Sequence, residues 1–144
     1  MPREIELPVV RDARPGALGF SQVGAHVPFP IRRVFYLFGL PAGSARGGHA
    51  HRHDQQLMIC LRGRLRIRTE AASGRQEYIL SGPDRGLYLP PLTWLDFTIE
   101  EADSIVLVLA ADDYDEADYI RDPAEFRAQL SGGGTEPGAP ETAP

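Results

Sequence analysis

The sequence predicts an all-β protein, a barrel or sandwich of short strands, with one helix near the carboxyl end. Two observations carry this prediction. Short aliphatic and aromatic runs recur along the chain, and each is bounded by Gly or Pro. The run 64–68 alternates arginine with aliphatic residues, which is the period of a strand with one buried and one solvated face. At 144 residues the chain has the length of one domain.

The individual elements follow from these runs in chain order. Gly63 and the pair Ser73-Gly74 mark turns between strands. The runs 57–61 and 105–111 are continuously apolar, as expected of strands buried on both faces. The segments that predict strands are 31–40, 57–61, 64–68, 76–80, 86–89 and 104–111.

One helix is predicted after the last strand. Asp122 suits the N-cap, Pro123 suits the first helical position, and Phe126 and Leu130 share a face. The segment 131–144 contains no apolar side chain larger than alanine. We therefore expect a single domain over 1–130 and a flexible Gly/Pro-rich tail over 131–144.

Composition excludes several classes of function. The net charge of −5 disfavours nonspecific binding to nucleic acid. All 15 basic residues are arginine, so any cationic contact to a phosphate uses a guanidinium fork. The run 105–111 is too short to span a membrane, and residues 1–16 lack the apolar core of a signal peptide. We expect a cytoplasmic protein whose single cysteine, Cys60, is a buried core residue.

Two histidines separated by one residue are the main candidates for chemistry. His49 and His51 follow Arg46 and a glycine pair. Residues two apart on a strand point to the same face of the sheet, so the two imidazoles would share one cavity. Such a pair can hold a metal ion or transfer protons.

The residues around this pair have a recognisable spacing. Gly43 stands five residues before His49, Gln56 follows His51 after four residues, and Gly63 follows Gln56 after six. This pattern resembles the first motif of the cupin superfamily, with Gln56 in place of the usual glutamate. The resemblance implies a small β-barrel, or jelly roll, with the histidines inside. The alternative is that the two histidines simply lie in a loop.

The ligand set argues for proton transfer. Metal-binding cupins usually use three histidines and one glutamate, but Gln56 is neutral and the segment 90–96 has no histidine. His53 would share a face with His51 if the strand continued, so a three-histidine site stays open. A site with no carboxylate in the usual place is a weak candidate for iron or manganese. We predict no metal and no cofactor, and two imidazoles that act as acid and base on a carbonyl substrate.

A closer resemblance covers residues from about Arg32 to Phe126. The matching segments are Arg33-Val34-Phe35-Tyr36, Arg46 to His51, Gln56 to Gly63, Gly86 to Pro91 with Trp94, and Tyr114-Asp115-Glu116-Ala117-Asp118-Tyr119-Ile120-Arg121. Together they resemble the nucleotide-sugar 3,4-ketoisomerases that act on dTDP-4-keto-6-deoxyglucose. The resemblance implies an enzyme that moves the keto group from C4 to C3 through an enediol.

The resemblance also implies roles for individual residues. His49 and His51 would form the acid–base pair, with their division of labour open. The family tends to form homodimers that exchange N-terminal strands, and we expect the same here. The substrate contacts implied by the matching segments are Arg33, Tyr36, Arg46, Gln56, Tyr88 and Trp94.

We interpret Asp115, Glu116 and Asp118 as a structural cluster that supplies surface charge and turn hydrogen bonds. Two other functions stay open at this stage. One is a metal-dependent cupin enzyme, and the other is a non-catalytic cupin that binds a sugar nucleotide.

Overall fold

The computed structural model describes residues 1–135, and within them two five-stranded antiparallel sheets face each other. A 3-10 turn spans Glu116–Asp118 and helix α1 spans Pro123–Thr135. The strands are β1 (Arg3–Glu6), β2 (Val9–Val10), β3 (Leu18–Gly19), β4 (Arg33–Leu40), β5 (Ala45–His51), β6 (Gln56–Arg62), β7 (Leu65–Ala71), β8 (Gly74–Leu80), β9 (Arg85–Leu89), β10 (Trp94–Ile99), β11 (Ser104–Ala110) and β12 (Tyr119–Ile120).

The order of strands defines a double-layered barrel. The first sheet has the order β1-β9-β6-β11-β4, and the second has the order β12-β5-β10-β7-β8. A separate two-stranded ribbon joins β2 to β3. Because β5 and β6 are consecutive in the chain but lie in different sheets, the loop between them crosses from one layer to the other. The histidines of β5 and Gln56 of β6 are thereby brought together across the interior.

Alternation along the strands divides the apolar side chains among three clusters. Met58, Cys60, Ile67 and Phe97 belong to the main core, which draws on both sheets and fills the space between them. Each fully buried side chain of this size contributes about 1.5–3 kcal/mol. Cys60 is fully buried, as predicted, and burial raises the pKa of its thiol to about 11. The thiolate is therefore absent at neutral pH.

The other two clusters cover the outer faces of the sheets. Leu7, Val27 and Phe29 of the N-terminal segment pack on Leu57 and Ile59, on the outer face of β6. The N-terminal segment thus closes the first sheet from outside.

Helix α1 covers the second sheet. Its Phe126, which is 1% exposed, packs with Ala50 of β5 and Ile120 of β12. Asp122 caps the helix, since its Oδ1 accepts a hydrogen bond from the backbone N–H of Ala124 at 3.2 Å. Ala50, the residue between the two histidines, is therefore buried under the helix.

The predicted all-β fold with a short C-terminal helix is confirmed. The helix begins at Pro123 as predicted and continues to Thr135, beyond the domain boundary predicted at residue 130. Residues 136–144, most of the predicted flexible tail, lie outside the described residues. The short strands β1, β2, β3 and β12 and the six-residue strand β10 were not predicted. No helix within residues 1–135 has the length and apolar character needed to cross a membrane.

Candidate active site

His49 and His51 both point from β5 into the space between the sheets. Their ring centroids are 5.1 Å apart and the ring planes are inclined by 85°. His49 borders a cavity of about 400 Å³ that also reaches Phe97 and Met58. His51 is only 9% exposed and borders a much smaller enclosed space behind His49. The predicted shared face is confirmed, but the two imidazoles have different access to the large cavity.

Gly47 and Gly48 form a β-bulge in the strand that carries the histidines. The pairing of β5 with β10 contains a bulge, because Leu95 lies opposite His49 whereas Asp96 lies opposite Gly47. Gly47 and Gly48 have φ angles of +96° and +79°. A Cβ atom on Gly47 would lie 2.5 Å from the carbonyl oxygen of Leu95. Only glycine permits this combination of positive φ and close approach.

An aspartate fixes the buried histidine. Nδ1 of His51 donates a hydrogen bond to Oδ2 of Asp118 at 3.1 Å, since a carboxylate oxygen accepts. The same carboxylate accepts the backbone N–H groups of His53 at 2.7 Å and Asp54 at 3.2 Å. Burial lowers the pKa of His51, and the hydrogen bond and charge of Asp118 oppose this shift. His51 is therefore neutral at pH 7, with its proton on Nδ1.

The other ring nitrogen of His51 faces Gln56. The amide nitrogen of Gln56 lies 3.3 Å from Nε2 of His51 and 3.1 Å from Oδ2 of Asp54. Arg33 donates to the same Asp54 oxygen at 3.1 Å. Arg33 and Gln56, both predicted as substrate contacts, thus form hydrogen bonds within the protein beside the histidines.

His49 is poised as a neutral base. Burial lowers its pKa to about 4, assisted by the neighbouring His51 and, more weakly, by the positive charge of Arg121. A hydrogen bond with the backbone of Gly47 opposes this shift. At neutral pH the imidazole has an unprotonated nitrogen beside the large cavity. It is the histidine best placed to accept a proton from a bound molecule.

The low pKa of His49 predicts a loss of stability in acid. The pKa of the imidazole is 6.5 in the unfolded chain and about 4 in the folded protein, so the unfolded state binds the proton more tightly. The contribution of His49 is complete above pH 6.5 and is lost as the pH falls through 4, by about 2–3 kcal/mol. Urea unfolding at pH 7 and pH 4 measures this loss. His49→Gln is expected to lose less stability on acidification, and an equal loss would contradict the shift.

An aromatic ring closes one side of the histidine pair. The Tyr119 ring centroid lies 5.0 Å from that of His49 and 4.4 Å from that of His51. The guanidinium of Arg121 lies 4.4 Å from the centre of the same ring. Glu116 holds Arg121 through two hydrogen bonds of 2.9 and 3.1 Å. Tyr119 and Arg121 border the large cavity, as does the predicted contact residue Arg46.

Three predicted substrate contacts lie elsewhere. Tyr36 is on the outer face of β4 and is 61% exposed. Tyr88 is on the outer face of β9, where its hydroxyl donates to Gln55 at 2.7 Å. Trp94 lies on the outer face of β10, whereas its neighbour Leu95 faces the cavity. The ring centroid of Trp94 is 5.5 Å from that of Phe126. None of the three borders the histidine cavity, so their contact with a substrate stays a prediction.

Four site residues were not identified from the sequence. Asp118, predicted to be structural surface charge, is instead buried against His51, so that prediction was wrong for this residue. Asp115 does cap a turn as expected, by accepting the N–H of Ala117 at 3.0 Å. The distinctive segment 114–121 was the available signal for Asp118, Tyr119 and Arg121. Asp54 had no comparable signal, since its role depends on the crossing of the β5–β6 loop.

The residues present do not assemble a metal-ligand set. Strand β5 ends at His51, and His53 is exposed in the following loop, so it does not join the pair. Within residues 1–135 no group of three or more His, Cys, Asp or Glu side chains is arranged to hold a metal ion. Gln56 presents a neutral amide nitrogen, which is not a metal ligand, towards His51.

Comparison with known proteins agrees with this geometry. A family model described as FdtA: WxcM-like, C-terminal matches residues 2–131. The TDP-4-oxo-6-deoxy-alpha-D-glucose-3,4-oxoisomerase of Aneurinibacillus thermoaerophilus is 35% identical over 116 residues, covering 81% of this chain and 84% of that protein.

Solved structures show the same similarity. QdtA, a sugar 3,4-ketoisomerase from Thermoanaerobacterium thermosaccharolyticum in complex with TDP, has a TM-score of 0.85 at 30% identity and covers 92% of this chain and 96% of its own. WlaRB, a TDP-quinovose 3,4-ketoisomerase from Campylobacter jejuni, has a TM-score of 0.81 at 34% identity, with coverages of 87% and 95%. The fold and the inward-facing histidine pair define a cupin-like barrel. The chain belongs to the FdtA family, which confirms the resemblance drawn from the sequence.

Proposed function

We propose that the protein isomerises dTDP-4-keto-6-deoxyglucose to its 3-keto isomer by histidine acid–base catalysis without a metal. The observation that carries the proposal is the neutral imidazole of His49, which borders a cavity of about 400 Å³ beside a second, hydrogen-bonded histidine. The names of the relatives support this substrate class and this reaction.

The proposed reaction needs one base and three proton transfers. His49 takes the proton from C3 of the sugar, and the electron pair of the C–H bond forms the C3–C4 double bond of an enediol. The proton of the C3 hydroxyl passes to the C4 oxygen. The imidazolium of His49 then returns its proton to C4, while the C3 oxygen becomes the ketone. Atoms and charges balance, and no redox partner is required.

Two arginines would receive the diphosphate. Arg46 and Arg121 both border the cavity, and a guanidinium forms strong paired hydrogen bonds with phosphate oxygens. Arg121 is already held by Glu116 and stacked on Tyr119, so little side-chain entropy is lost when it binds. Arg46 was predicted as a contact, and Arg121 is added on the basis of its position.

Replacing Arg46 with alanine is expected to raise KM about 10- to 100-fold with a smaller change in kcat, because the contact is to a part of the substrate that does not react. Steady-state kinetics measures both constants. Arg68→Ala, on the outer face of β7, is the matched loss of one guanidinium and should leave KM unchanged. An unchanged KM in Arg46→Ala would place the diphosphate elsewhere.

The activity itself is tested with purified protein and dTDP-4-keto-6-deoxyglucose. Carbon NMR is expected to show the ketone signal move from C4 to C3. In D₂O, deuterium should enter C4 of the 3-keto product, the carbon to which His49 returns a proton after its imidazolium has exchanged with solvent. Failure to form the 3-keto product, beside an active control enzyme, would overturn the proposal. Stoichiometric iron, manganese or nickel, with activity lost on chelation, would replace it with a metal-dependent cupin.

We also propose that the protein works as a homodimer with exchanged N-terminal strands, in the cytoplasm. The support is an apolar strip on β4, a strand at the edge of its sheet, where Val34, Tyr36 and Phe38 are between 51% and 69% exposed. The single cysteine offers no disulfide framework of the kind common in exported domains. Light scattering should give twice the mass of the chain, and Phe38→Glu should lower that mass.

A further inference from the structure

We propose that Arg33, Asp54 and Gln56 form a positioning chain that holds His51 uncharged in a single tautomer, so that His49 alone handles the carbon-bound proton. The inference rests on the proposed function for its consequence in catalysis. The arrangement of the side chains can be tested separately.

The chain is anchored at Asp54, whose side chain is only 2% exposed. Its Oδ1 accepts the backbone N–H groups of Ala111 at 3.1 Å and Asp112 at 2.9 Å. Its Oδ2 accepts Arg33 and Gln56, each at 3.1 Å. Four donors fill the acceptor capacity of one carboxylate. Asp54 is therefore a rigid anchor.

This anchor determines which way the Gln56 amide faces. A carboxylate can only accept, so the NH₂ group of Gln56, and not its carbonyl oxygen, must point at Asp54. The second hydrogen of that NH₂ group is then directed at Nε2 of His51, 3.3 Å away. A rotated amide would place two oxygens against each other in a buried site, which is unfavourable.

Both nitrogens of His51 are consequently occupied. Nδ1 donates to Asp118, and Nε2 accepts from Gln56. Nε2 has no free lone pair for a substrate proton, and protonating it would require Gln56 to leave Asp54. His51 thus acts as a positioning residue, whereas His49 keeps its access to the cavity.

Several elements pack against His51, and only some of them contribute charged or titratable groups. The space on the β9 and β10 side is bordered by the uncharged residues Leu89, Pro90, Thr93 and Leu95. The charged or titratable groups are Arg33 on β4, His49 on β5, Asp54 in the β5–β6 loop, Asp118 in the 3-10 turn and Tyr119 on β12. The two carboxylates favour a charged imidazole, whereas burial and the positive charge of Arg33 oppose it, and the donor from Gln56 occupies the nitrogen that a second proton would need.

A neutral His51 matters because its ring lies 5.1 Å from that of His49. A positive charge on His51 would repel the proton that His49 must accept from carbon. By preventing that charge, the positioning chain preserves the basicity of His49 during the reaction.

The variant Gln56→Glu reverses the sign of the contact, because it replaces a donor with a charged acceptor. His51 is then expected to carry both protons at pH 7. We expect kcat/KM at pH 7 to fall about 100-fold, and the acidic limb of its pH profile to rise by about one pH unit or more. Gln55→Glu makes the same change at the adjacent position, where the side chain contacts Tyr88, and should keep the wild-type pH profile. A uniform loss at every pH in Gln56→Glu would overturn the proposal.

Nitrogen-15 NMR of the ring nitrogens tests the arrangement in the wild-type protein and without substrate, and a variant is needed only to assign the signals. The chain has four histidines, so the His51 signals are assigned by their loss in His51→Asn. In the wild type we expect a protonated Nδ1 and an unprotonated Nε2 from pH 6 to 8. A proton on Nε2 in that range would overturn the proposal. This tautomer would be retained even if the isomerase assay failed, so the two failures are distinguishable.

Discussion

Replacing His49 with asparagine is expected to lower kcat by about a thousandfold or more while the fold is retained. General base catalysis by a positioned side chain contributes about 10²–10⁴-fold. The asparagine amide occupies similar space but cannot accept the proton from C3. His51 cannot substitute, because its Nε2 already accepts from Gln56. Turnover by NMR, with circular dichroism as the check on folding, measures the effect.

The matched control is His53→Asn. His53 is exposed in the loop after β5, and only its backbone N–H contacts Asp118. This variant should retain nearly full activity. Full activity in His49→Asn would show that the proton is handled elsewhere, whatever the fate of the control.

Replacing Gly47 with alanine is expected to give the largest loss of stability of any conservative change near the site, about 2–4 kcal/mol. The added Cβ would meet the Leu95 carbonyl oxygen at 2.5 Å, and the residue would keep a φ of +96°. The close approach and the positive φ are separate costs, so their effects on the free energy of unfolding are expected to add. Urea unfolding monitored by the fluorescence of Trp94 measures the change.

Gly43→Ala separates the two causes. Gly43 has a φ of +86°, yet a Cβ there would meet nothing within 4 Å. The free energy of unfolding of Gly43→Ala should fall only by the cost of a positive φ at alanine, about 1–2 kcal/mol. If both variants lost the same amount, close approach to β10 would make no contribution. The bulge would then not be the reason for glycine at position 47.

Local patterns in the sequence were sufficient for the fold class and for the histidine pair. The alternation of 64–68 corresponds to β7, and the spacing from Gly43 to Gly63 correctly placed His49 and His51 on one inward face. These features depend on residues close together in the chain. The weak strands β1 to β3 and β12 have two to four residues each, too few to show a period.

The contacts of the site were harder to predict, because they join distant parts of the chain. Asp118 meets His51 across 67 positions, and Arg33 meets Asp54 across 21. Tyr36 and Trp94 were assigned to the pocket from matching segments alone. Each lies on the outward face of its strand, since their neighbours Phe35 and Leu95 border the cavity. A shift of one residue changes the face, and segment similarity does not by itself state which face is meant.

The contact between Gln56 and Asp54 also bears on how such barrels diverge. Codons for glutamine and glutamate differ by one nucleotide, so a chain of this kind stands a single mutation away from the carboxylate usual in metal-binding cupins. That mutation would set a second carboxylate against the buried Asp54, which now lies 3.1 Å from the Gln56 amide. Glutamate at position 56 would therefore be better tolerated if Asp54 changed as well. On the proposed function without a metal, this pair of side chains makes the single change to a ligating carboxylate unfavourable.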